Sequence, residues 1–219
     1  GGNVAIRESN YRLYSSLRPA RSVGGDLYFF KQDANRLHFI IGDVSDKGVP
    51  AALFMAKTVT LYTGALNDNL SPADTFTSMN QALCQNNDAC MFVTALCGTL
   101  DVDSGRLVMA NAGHMHPLQI NQSSSGELIV DGSLALGLMD DVVYTNVECT
   151  LEKHTSLLMY TDGISEAFNR EKQQYGPSIV GNIRQSTTYN DWKEAWALGN
   201  LEGYYDYSGS TQGVALGEY

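Results

Sequence analysis

An antiparallel α+β fold is predicted by two observations. The strand-like runs arrive in hairpins rather than alternating with helices, and two apolar helical stretches precede most of them. A doubly wound parallel sheet would need the opposite arrangement. The 219 residues suffice for one large domain or two small ones with a sizeable core. No shift of composition marks a boundary, so a single domain over residues 1–219 is expected.

Taken in order, residues 1–19 read as the remnant of a linker, although no linker helix is recognisable there. The start at Gly1-Gly2, without methionine or signal-peptide features, reads as an excised piece with an upstream part missing. Asp26 to Phe30 and Leu37 to Ile41 flank the polar stretch Gln32-Asp33-Ala34-Asn35 and form a hairpin. A turn centred between Asp33 and Ala34 sets Asp26 opposite Ile41, with Asp43 just beyond the same open end. A register slip of one residue would turn one carboxylate away.

Gly48-Val49-Pro50 opens a helix reaching about Leu66, with proline tolerated in its first turn. Leu53, Phe54, Leu61, Tyr62 and Ala65 are expected to share one face and Met55, Ala56, Val59 and Leu66 another, so the helix reads as buried all round. A second helix runs from Ala73 to about Cys84, capped by Ser71.

Met91 to Val102 and Arg106 to Asn111 form a hairpin around Asp103-Ser104-Gly105. Further strands are expected at Pro117 to Ile120, Glu127 to Val130, Val142 to Leu151 and Ser156 to Tyr160, then helices at Ile164 to Phe168 and Tyr175 to Gln185. The tail from about residue 186 is out of pattern, and its last twenty residues carry no readable period.

Composition narrows the function. Apolar residues make up 43% and charged residues 17%, as in ordinary globular proteins. A net charge of -10 disfavours nucleic acid and anionic membranes as partners and favours cations. No uninterrupted apolar run approaches the roughly 18 residues of a membrane span. Cys84, Cys90, Cys97 and Cys149 are scattered without a CxxC pair, which points to reduced thiols and a cytoplasmic setting.

Three aspartates stand beside glycines at strand ends: Gly25-Asp26, Gly42-Asp43 and Asp162-Gly163. One such step is usually a turn. Three carboxylates gathered without a partner would raise one another's pKa values, and one or two divalent cations relieve that cost. All-oxygen ligation suits magnesium or manganese better than zinc.

Five ordered blocks carry a resemblance: Val23-Gly24-Gly25-Asp26, Gly42 through Leu53, Met91-Phe92-Val93-Thr94, Asn111-Ala112-Gly113-His114, and Tyr160 through Ala167. Together they resemble the SpoIIE-like (RsbU-type) bacterial phosphatases of the PPM class, the metal-dependent protein serine/threonine phosphatases. The resemblance implies an α/β/β/α sandwich of two mainly antiparallel sheets flanked by helices, with two manganese or magnesium ions at one end. It implies that Asp26 binds one ion, Asp43 bridges both, the Val44 carbonyl adds a ligand and Asp162 binds the other ion. Two such ions would activate a bridging water for in-line attack on phosphorus, so no protein nucleophile is needed.

The family's Asp-Asp pair entering the final strand is missing. Asp191 and Asp206 are the downstream aspartates, and Asp206 is the nearer match in spacing. His114 and His116 read first as loop residues, with general acid or ligand as alternatives, and Lys47 as a solvated cation. The resemblance implies a substrate of the anti-sigma-factor antagonist kind, phosphorylated on serine, and an upstream sensor or receiver domain. A homodimer is left open. The alternative is a degenerate, non-catalytic module that binds a phosphoprotein.

Overall fold

The computed structural model describes residues 4–8, 11–18, 25–121, 124–162 and 211–217. It divides into two compact units, one of Gly1–Ser22, Pro117–Leu128 and Lys153–Tyr219, the other of Val23–His116 and Ile129–Glu152.

The first unit is built on a six-stranded antiparallel sheet. Its strands are β1 (Val4–Arg7), β2 (Arg12–Arg18), β7 (Leu118–Ile120), β8 (Ser125–Glu127), β11 (Ser156–Tyr160) and β12 (Thr211–Gly217), in the order β1-β2-β12-β11-β7-β8. Residues 1–19, expected as a linker remnant, therefore hold two strands of this sheet. Strand β12 lies in the stretch that local pattern left unassigned, and it pairs with β2 on one edge and β11 on the other, Val214 facing Ser15 and Met159. All five residues of β11 are buried, which explains its unbroken apolar run. The helices expected after Asp162 fall outside the described residues.

The second unit carries the other sheet, of β3 (Asp26–Asp33), β4 (Arg36–Val44), β5 (Val93–Asp101), β6 (Arg106–Ala112) and β10 (Val147–Thr150), in the order β10-β6-β5-β4-β3. A short β9 (Gly132–Ser133) adds a parallel pairing to β6. The glycine-containing turn between β5 and β6 forms as expected. Strands β8 and β10 are shorter or shifted against expectation. Residues 142–146 are a loop because Tyr144 packs edge-on against Phe76 and Asn146 Oδ1 accepts the Ala73 N–H at 2.9 Å.

Two helices cover one face of this sheet, α1 (Val49–Asn67) and α2 (Pro72–Cys84). They bury Phe54, Tyr62, Phe76 and Met79 against Ile40, Val93, Cys97 and Ala110. Burying each large apolar side chain contributes roughly 1.5–3 kcal/mol. Tyr62 keeps its hydroxyl satisfied by donating to the Phe39 carbonyl at 2.8 Å. Helix α1 is not buried all round. Its buried stripe is Ala51, Phe54, Thr58, Tyr62 and Ala65, whereas Val49 and Leu53 are 66% and 68% exposed. By length and mean hydropathy, 1.2, this 19-residue helix would also pass for a membrane span. Its stripe on the sheet is that of a core helix.

Helix α2 begins where its cap predicts. Ser71 Oγ accepts the Asp74 N–H at 3.2 Å, and Pro72 occupies the first turn, where its missing N–H is harmless. Ser71→Ala is expected to cost about 1 kcal/mol of stability, read from the urea midpoint at unchanged slope.

Candidate metal centre

The centre is assembled by the β3–β4 hairpin. Its turn is Ala34-Asn35, closed by the pair Asp33 and Arg36, and Ala34 takes φ 51°. Asn35 is held from a distance, since its carbonyl accepts the Val102 N–H at 2.8 Å and its amide donates to Asp101 Oδ2 at 2.8 Å. The turn therefore sits one residue later than the sequence suggested, and every cross-strand partner moves by two. Asp26 faces Asp43 directly, and Ile41 instead pairs with Tyr28. Because the shift is even, both carboxylates stay on one face.

Asp26 is buried, 4% exposed, and Asp43 is half-buried. Like charges directly opposite on paired strands are destabilising, more so out of water. A third oxygen joins them through Gly25. A Cβ built there would lie 2.6 Å from the Val44 carbonyl oxygen and 3.1 Å from Asp43 Oδ1. The missing side chain thus leaves open the space onto which these two oxygens converge, and Val44 N–H donates to the Gly25 carbonyl at 3.2 Å to lock the approach. Two carboxylates and a carbonyl make a hard, all-oxygen donor set, which fits magnesium or manganese.

Flanking residues fix this end of β4. Gly42 permits close pairing with β5, because a Cβ there would meet the Thr94 carbonyl at 2.5 Å. Thr94 pairs with Asp43, and its hydroxyl makes a long hydrogen bond of 3.4 Å to the Asp43 carbonyl. The same hydroxyl lies 3.3 Å from His114 Nδ1. Beyond Val44, Ser45 is clasped to Phe92 by N–H to carbonyl at 2.8 Å and by its hydroxyl, which accepts the Phe92 N–H at 2.9 Å. Lys47, two residues on, is exposed.

His114 belongs to a buried, hydrogen-bonded turn. Asn111 Oδ1 accepts its N–H at 2.7 Å, and Asn111 Nδ2 donates to its carbonyl at 3.0 Å and to the Val130 carbonyl at 3.1 Å. His116 Nδ1 accepts the Val130 N–H at 3.2 Å. These contacts are those of loop residues. Thr94 and Asn111, each from one of the sequence blocks, act as braces of this end of the sheet. In the sequence Thr94 is marked only by the Met91-Phe92-Val93-Thr94 block, and its register opposite Asp43 comes from the fold.

Among the described residues, Asp26, Asp43 and Val44 come together within one unit. Asp162 lies in the other unit, exposed, directly after the fully buried Thr161 at the end of β11. Asp191 and Asp206 fall outside the described residues. No group of three or more His, Cys, Asp or Glu side chains is gathered among the described residues, so the described carboxylate cluster is the Asp26–Asp43 pair.

The fold is that of PP2C-type phosphatase domains. The RsbU and RsbW domains of a Mycobacterium tuberculosis protein superpose with a TM-score of 0.82 at 20% identity, over 99% of this chain and 62% of that one. The SiaA-PP2C domain of Pseudomonas aeruginosa gives 0.78 at 20% identity, over 94% and 86%. The chain belongs to the SpoIIE family: the model for Stage II sporulation protein E (SpoIIE) matches residues 33–187. Phosphoserine phosphatase RsbU of Bacillus subtilis (strain 168) is 29% identical over 149 residues, 68% of this chain. The chain spans 44% of the length of that relative.

Proposed function

We propose that this chain is a divalent-metal-dependent phosphatase domain that hydrolyses phosphoserine on a regulatory protein. The observation that carries the reading is the direct pairing of Asp26 with Asp43 beside the Val44 carbonyl. Family membership and the phosphoserine phosphatase relative support it. Asp26, Asp43 and the Val44 carbonyl would hold the cations together with Asp162, and Asp206 is the candidate for a fourth carboxylate. When bound, manganese or magnesium supplies an activated water and neutralises charge on the phosphoryl oxygens. The protein's own part is positional. The paired strands keep the Asp43 carboxylate and Val44 carbonyl in place, and Thr94 and the Ser45–Phe92 clasp hold the backbone that carries them.

The substrate class is an anti-sigma-factor antagonist-like protein, with an upstream sensor or receiver domain, a cytoplasmic location and a homodimer in the same proposal. These rest on the resemblance to RsbU-type phosphatases. The test is release of inorganic phosphate from a phosphoserine peptide with and without manganese. Manganese-dependent release, abolished by EDTA, is expected. No release in excess manganese would overturn the reading and leave the non-catalytic binding module in its place.

A further inference from the structure

A second site opens at the opposite end of the same sheet. Arg36 begins β4 and Asp43 nearly ends it, and seven residue steps of strand separate them by about 23 Å at ~3.3 Å per step. There the sheet runs on past the two helices. His38, Thr99, Val108 and Glu148 face one another across four strands and form one row of that face. With the α1–α2 turn at Asn69–Ser71, this row lines a cleft of about 340 Å³, within the range of small-ligand sites.

The charges in the cleft are unevenly committed. Asp101 is saturated by its own turn: Oδ1 accepts from the Asp103 and Ser104 N–H groups and the Ser104 hydroxyl, and Oδ2 from Asn35. Glu148 uses both oxygens on Arg106, Oε1 on Nε and Oε2 on Nη2, the latter at 2.8 Å. These bonds hold both carboxyls below their usual range. Arg36, cross-strand from Asp101, makes no ion pair or side-chain hydrogen bond among the described residues. Its charge, after burial, also holds the His38 imidazole below its usual range, with Nδ1 3.0 Å from Thr99 Oγ1. Both acids stay anionic, but their oxygens are engaged by internal donors. Guanidinium donors from Arg36, and those of Arg106 not used on Glu148, remain.

We propose that this cleft binds a small soluble polyphosphate, its phosphoryl oxygens held by Arg36 and Arg106. Paired guanidiniums suit such oxygens, and the cleft's volume is on the scale of small-ligand sites. The net charge of -10 works against non-specific anion binding, so the loss of binding in an Arg36 variant is the discriminating readout.

The test is calorimetric titration of the full chain with inorganic pyrophosphate in EDTA, where the metal centre is silent. Saturable binding is expected in the parent, weakened about tenfold or more in Arg36→Ala, weakened less in Arg36→Lys, which keeps the charge but not the planar fork, and unchanged in Asp43→Asn. Because Arg36 is exposed, Arg36→Ala is expected to keep the parent's circular dichroism and its phosphatase activity. Absence of saturable binding in the parent, equal affinity in Arg36→Ala, or loss in Asp43→Asn would each overturn the site. The phosphatase reading stands or falls separately, by manganese-dependent hydrolysis.

Discussion

Asp43→Asn is expected to lower manganese-dependent hydrolysis of a phosphoserine peptide by about 10³-fold or more, the scale of the several kcal/mol that metal catalysis supplies. The substitution is nearly isosteric, and β4 stays paired on both edges, so the loss comes from chemistry rather than unfolding. A second effect has the opposite sign. Removing one of two facing carboxylates relieves cross-strand repulsion, so metal-free stability should rise by up to about 1 kcal/mol. Manganese should then stabilise the parent and leave the variant unmoved. Asp46→Asn, three residues away on the exposed loop, is the control. It should keep activity close to that of the parent, since an asparagine carbonyl still accepts the Lys47 N–H.

Gly25→Ala is expected to lower activity about 100-fold, with a loss of about 1–3 kcal/mol of stability. The new methyl would sit 2.6 Å from a backbone carbonyl, which cannot rotate away as a side chain would. The start of β3 must therefore move off the end of β4, separating Asp26 from the Asp43 carboxylate and the Val44 carbonyl. Gly64→Ala gives the contrast. It lies in α1 with open space around it, and alanine there should stabilise the helix by about 0.5–1 kcal/mol. Phosphate-release kinetics and urea midpoints for the two variants check both statements.

Much of the second unit could be read from sequence because its signals are local. Ser71 and Pro72 announce α2, Gly105 closes the β5–β6 turn, and Asp26 and Asp43 sit on a hairpin whose parity survives an error in register. What escaped depends on distant partners. Ala34 carries no turn preference of its own, and its neighbour Asn35 is fixed by Asp101, far along the chain. Strand β12 has glycine at 213 and 217, and it pairs with β2 across nearly the whole length of the sequence. For the same reason β1 and β2 resembled a linker.

The apolar content of α1 conceals which stripe meets the sheet, and Leu53 lies outside that stripe despite its apolar side chain. At the site, Asp26 and Asp43 declared themselves through flanking glycines. Thr94 could not, because its part is defined only by the strand opposite.

The central claim is that Asp26 and Asp43 hold divalent cations, and anomalous diffraction from manganese-soaked crystals tests it most directly. A manganese peak within about 2.0–2.2 Å of carboxylate oxygens of both residues, the range for small hard divalent ions, is the predicted result. A well-ordered hairpin with no anomalous peak at the pair, or manganese bound only elsewhere, would contradict it.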